Sequence, residues 1–82
     1  MKKTTVKIDG MMCGMCEAHV NQAIRQAFSV RKVTSSHRKN QTVILSESGL
    51  DLKTLRQVIE SLGYDVRNIS EEDMGKKKWL AW

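Results

Sequence analysis

Two thiols stand near the start of the chain, in the stretch "GMMCGMC" at residues 10–16. Cys13 and Cys16 are the whole cysteine complement, and Met11, Met12 and Met15 lie around them. A Cys-x-x-Cys pair can do three kinds of chemistry. It can exchange thiols for a disulfide, supply half of a tetrahedral zinc site, or hold a soft metal ion between two thiolates.

The rest of the sequence weighs these readings. A structural zinc site takes four ligands, commonly from two separated pairs. Beyond the cysteines this chain offers His19 and His37, neither at finger spacing. Redox proteins of the thioredoxin type have a larger βαβ core and a cis-proline facing the cysteines, whereas this chain has no proline. A soft d¹⁰ ion, chiefly Cu(I), is satisfied by two thiolates, and it fits the inventory best.

Other side chains near the pair have simpler roles. Met12 and Met15 are thioethers able to add a soft ligand, but loop methionines more often shield a site or meet a partner, so a surface role is expected. His19 falls one turn after Cys16 and is expected to be a solvated helix residue. His37, in a polar turn, is expected to face solvent.

The elements that position the thiols follow from hydrophobic period. Residues 4–9 alternate, with Val6 and Ile8 on one side, as a half-buried strand does. Val20, Ala23, Ile24, Ala27 and Phe28 form a helical stripe, so a first helix starts near Cys16. Cys13 then lies on the loop before it, and Cys16 lies at the helix N-terminus, where unpaired N–H groups and the helix dipole stabilise a thiolate.

Farther on, residues 30–36 and 41–45 are β-branched around a polar "HRKN", which reads as a hairpin. Asp51 is placed to cap a second helix with Leu52, Leu55, Val58, Ile59 and Leu62 on one face, and Gly63 ends it. "YDVRNI" at 64–69 supplies a fourth strand. The order β-α-β-β-α-β suits a four-stranded antiparallel sheet with both helices on one face.

Bulk properties set the frame. A chain of 82 residues, 40% hydrophobic and 28% charged, has the size and balance of one folded domain. The formal charge of +5 is scattered, and with aromatics at 5% the basic residues read as solvated faces rather than a nucleic-acid groove. The N-terminus has no apolar run behind its lysines, and no stretch approaches the roughly 20 apolar residues of a membrane span. A cytoplasmic location is expected, where closely spaced cysteines are more often metal or redox groups than structural disulfides.

With these elements around it, Gly10-Met11-x-Cys13-x-x-Cys16 resembles the motif of the heavy-metal-associated domain family. The chain looks like a small bacterial copper chaperone or the N-terminal metal-binding domain of a copper-transporting P-type ATPase, over roughly residues 4–69. The resemblance implies an α+β, ferredoxin-like βαββαβ fold and Cu(I) held by Cys13 and Cys16. It also implies handover by thiolate exchange to a copper-transporting ATPase or another metal-binding domain of the same fold, with a copper-bridged homodimer as a further assembly.

By the same resemblance, Met11 packs into the core beneath the metal loop and Tyr64 lies close to the metal. Ser29 stands where the family usually has glycine between the first helix and the second strand. The expected division is a heavy-metal-associated domain at 1–70 and a basic, Trp-containing tail at 71–82. That tail could contact a membrane surface, pack on the domain, or lead into further chain. The rival readings are a carrier for Hg(II), Zn(II) or Cd(II) and a thiol–disulfide redox protein. No covalent catalysis and no nucleic-acid partner are expected.

Overall fold

The structure, a computed structural model, describes residues 2–12 and 14–73. Within them the chain runs β1 (Lys2–Asp9), α1 (Gly14–Ala27), β2 (Lys32–Ser36), β3 (Gln41–Ser46), α2 (Leu52–Ser61) and β4 (Asp65–Asp73). The strands form a four-stranded sheet in the order β2-β3-β1-β4, with each neighbouring pair antiparallel. This is the expected ferredoxin-like α+β architecture.

Alternation on β1 puts Thr4, Val6 and Ile8 on the buried side of the sheet. Against them pack Val20 and Ile24 of α1 and Leu55 and Ile59 of α2, together with Val33, Ile44 and Val66. One shared core therefore places both helices on the same face. Burying each such aliphatic side chain is worth about 1.5–3 kcal/mol, so this set is the main source of stability in a small domain.

The helix ends follow their sequence signals. Asp51 caps α2 by accepting from the backbone N–H groups of Lys53 and Thr54. Gly63 takes φ 96° just past the C-cap and donates its N–H to the carbonyl of Glu60 at 3.0 Å.

Several boundaries differ from expectation. β1 begins at Lys2, because Lys2 and Lys3 pair with Ser46 and Leu45 on one side and with Asp73 and Glu72 on the other. The same pairing carries β4 to Asp73. β2 starts only at Lys32, and Val30 instead packs against the core from the connection. Ala27 and Leu62, expected on the apolar stripes, are exposed, since they occupy the last position of α1 and the C-cap of α2.

The turn near Ser29 forms without a left-handed residue there; among the described residues, Asn40 in the hairpin is the non-glycine with positive φ. The final tail, residues 74–82, lies outside the described residues.

Candidate metal centre

The loop between β1 and α1 leaves the sheet at Gly10, whose φ of 109° favours a residue without a side chain. The Tyr64 ring closes on this position, immediately before β4. Met11 then turns inward and is buried in the core cluster, as the resemblance implied. Met12 points outward and is 83% exposed. One apolar anchor under the loop and one exposed thioether above it fix which way the loop faces.

Of the two expected ligands, Cys13 lies outside the described residues. Cys16 is in the first turn of α1, half-buried and packed against the core. There the N-terminal backbone N–H groups and the helix dipole favour a thiolate. Met15, beside it, is 70% exposed, and His19 one turn on is exposed as expected. His19 borders a shallow depression with Gln22, Ala23, Gln26 and Leu62, on the side of α1 that faces the end of α2.

His37 overturns its expectation. It is half-buried, its backbone N–H donates to Glu17 Oε2 at 2.7 Å, and its Nδ1 lies 2.6 Å from the same oxygen. These contacts, the backbone hydrogen bond first and the ring hydrogen bond next, hold the Glu17 carboxyl below its ordinary value of 4.5. The first turn of α1 is thus fastened to the β2–β3 turn. Sequence reasoning missed the pair because its partners are 20 residues apart and neither belongs to a hydrophobic stripe.

A second fastening lies on the opposite side of the loop. β1 and β4 slip register between Lys7 and Ile8, so that Lys7 pairs with Asn68 while Ile8 pairs with Val66. Arg67 is the extra residue of this bulge, and its Nε donates to Asp9, the last residue of β1. Asp9 and Glu17, the acidic side chains flanking the loop in sequence, are therefore both occupied by basic partners. Among the described residues no three of His, Cys, Asp and Glu converge on one point.

No family model matches the chain. It is 34% identical over 76 residues to a mercuric reductase of Shewanella putrefaciens, covering 93% of this chain and 13% of the reductase. It is 33% identical over 63 residues to a candidate copper-exporting P-type ATPase of Archaeoglobus fulgidus, covering 76% of this chain and 8% of the ATPase. The chain thus spans a small part of the length of these curated relatives.

Among solved structures, a candidate copper-ion-binding protein of Bacillus anthracis superposes with TM-score 0.70 at 26% identity, covering 82% of this chain and 97% of that one. The CopZ metallochaperone gives 0.71 at 24% identity, with 79% and 98% covered. The N-terminal domain of ZntA in its Zn(II) form gives 0.73 at 22% identity, with 90% and 96% covered. At these lower identities the likeness is one of fold.

Proposed function

We propose that the chain, which resembles heavy-metal-associated domains in sequence and in fold, carries one Cu(I) ion between the thiolates of Cys13 and Cys16. The observation that carries the choice of ion is the engagement of Glu17 with His37 next to Cys16. A zinc site here would need two more donors. The carboxylates that flank the loop in sequence, Asp9 and Glu17, already serve Arg67 and His37, whereas Cu(I) needs nothing beyond the two sulfurs.

The ion is cargo, passed on by ligand exchange without covalent substrate chemistry. An incoming thiolate from a partner domain of the same fold joins the ion at Cys13 and makes it three-coordinate. Cys16, half-buried against the core, releases last. The same exchange serves a free cytoplasmic carrier and a domain of a longer transporter. The likeness to a copper-exporting ATPase and to a copper-ion-binding protein supports this reading.

The identity with a mercuric reductase favours one second reading, in which the cargo is Hg(II), another soft ion content with two thiolates. Delivery separates the two. The Cu(I) carrier passes its ion to a metal-binding domain of a copper ATPase faster than it passes Hg(II) to the catalytic core of a mercuric reductase, and the reverse order favours mercury.

Selectivity over zinc tests the ligand set directly. The reduced chain is equilibrated anaerobically with equimolar Cu(I) and Zn(II), desalted and analysed for bound metal. Copper at one equivalent with zinc excluded is expected. Zinc in the site, or loss of all binding in His19→Ala, overturns the two-thiolate reading.

A further inference from the structure

The turn between β2 and β3 grips the metal loop at both of its ends. Where β1 leaves the sheet, the Ile8 N–H donates to the Asn40 carbonyl at 2.8 Å. Where α1 begins, Glu17 Oε2 accepts from the backbone N–H of His37 at 2.7 Å and lies 2.6 Å from its Nδ1. One turn of helix later, Asn21 Oδ1 accepts from Ser35 Oγ at 2.6 Å. Ser35, its own proton given there, accepts from the buried Thr42 hydroxyl at 2.8 Å. Glu17 and Asn21 are neighbours on one face of the helix, so two successive turns of α1 are tied to the same hairpin.

The first of these ties falls where α1 has little else to hold it. Gly14 and Met15 are exposed, Cys16 is only half-buried at the margin of the core, and Val20 is the first fully buried residue of the helix. Gly14 is also a poor helix former. Such a turn frays readily, because the N–H groups that open a helix have no acceptor within it and there is little packing to offset the entropy of ordering the chain. The Glu17–His37 contact gives it a fixed point on the hairpin.

We propose that His37 is a positioning residue for the bound ion: through Glu17 it keeps the first turn of α1 wound, and so governs how tightly and how long Cys16 holds Cu(I). The effect on copper rests on the two-thiolate reading, whereas the effect on the helix stands without metal. In the wound turn the helix end stabilises the Cys16 thiolate and the sulfur keeps one place beside the core. When the turn unwinds, that stabilisation goes and the sulfur moves, so the bond from Cys16 to the ion breaks sooner as an incoming thiolate forms its own. The electron pair of the broken bond stays on the Cys16 sulfur, and copper remains Cu(I).

Amide hydrogen exchange on the metal-free, reduced chain reads the helix, and release of Cu(I) to a chelator reads the ion. Glu17→Ala removes the acceptor of both bonds, and His37→Ala removes the ring while keeping the backbone donor. The amides of Ala18 and His19 bond back to Gly14 and Met15 in the first turn. Their exchange should speed by about tenfold in Glu17→Ala, the size of one lost hydrogen bond, and by less in His37→Ala, while Ile24 and Leu55 stay protected. Copper release should speed by about the same factors. The double variant should match Glu17→Ala, since the two residues act as a pair. Glu17→Gln, which keeps an acceptor oxygen, should stay close to the native protein in both measurements. Gly14→Ala should rescue His37→Ala, because a β-carbon at Gly14 meets nothing within 4 Å and alanine favours the wound turn.

Unchanged exchange at Ala18 and His19 overturns the proposal, and so does faster exchange there with unchanged copper release. Loss of protection at Ile24 and Leu55 as well would make the pair a support of the whole fold and overturn its positioning role. Failure of the two-thiolate reading looks different: the native chain itself then takes up no Cu(I), which removes the copper half of the proposal with it.

Discussion

Tyr64 and Gly10 are packed so closely that a β-carbon on Gly10 would lie 3.1 Å from Tyr64 Cδ1. Gly10 also holds φ at 109°. A side chain there meets both a strained backbone and an aromatic ring that is itself half-buried against the core. Gly10→Ala is expected to cost about 1–3 kcal/mol of stability. Urea unfolding of the metal-free protein checks this, and an unchanged midpoint would mean that the loop yields at no cost.

Asp51 predicts part of the acid response. Its carboxylate accepts from Thr54 Oγ1 at 2.9 Å and from the N–H groups of Lys53 and Thr54, and these bonds, that of the Thr54 side chain first, hold it below its ordinary value of 3.8. A carboxyl whose folded value is depressed contributes stability that is fully present above the unfolded value and is lost as pH falls through the folded one. Asp51→Asn, which keeps a capping oxygen without titrating, should match the native protein near neutral pH and show a shallower loss of stability below pH 3.8. Asp51→Ala should lower Tm by a few degrees already at neutral pH. Thermal melts of the three proteins across this range provide the measurement.

Thr4 marks a place where the sheet can be improved. It is fully buried on the helix side of β1, and its hydroxyl has no hydrogen-bond partner. Thr42, also buried on that face, shares its hydroxyl with Ser35 at 2.8 Å, and Ser35 in turn donates to Asn21 of α1 at 2.6 Å. Thr4→Val replaces an unsatisfied hydroxyl by a methyl of similar size and should stabilise the fold by roughly 1 kcal/mol. Denaturant unfolding would read the gain, and a loss instead would point to a polar partner for the Thr4 hydroxyl.

The fold was legible because local signals and long-range pairing agreed. Val6 and Ile8 alternate as a strand must, Asp51 and Gly63 bracket α2, and Met11 is buried as the family resemblance implied. What escaped the sequence depends on contacts between distant segments. Val66 and Ile69 both pack on the core although they are three apart, a spacing that breaks strand alternation. The bulge at Arg67 restores it by inserting one residue, and no local propensity announces a bulge at an ordinary "VRNI". His37 looked solvated for the same reason, since only the folded hairpin brings it to Glu17.

The expected ligands themselves give the last prediction. Cys13→Ser and Cys16→Ser should each lower Cu(I) affinity by more than about a thousandfold, or about 4 kcal/mol, because one thiolate cannot supply the two-coordinate geometry that the ion prefers. Neither substitution should unfold the chain. The buried cluster is made of other residues, and Cys16 only packs against its margin, so a serine there removes little apolar contact. Met12 and Met15 serve as controls. Both are well exposed, and alanine at either position should leave affinity within about threefold if the thioethers only shield the loop. Competition against a Cu(I) chelator, with circular dichroism on the same samples, reads both effects. Tight binding in either cysteine variant would sink the two-thiolate site, and a large loss in Met12→Ala or Met15→Ala would make that thioether a third ligand.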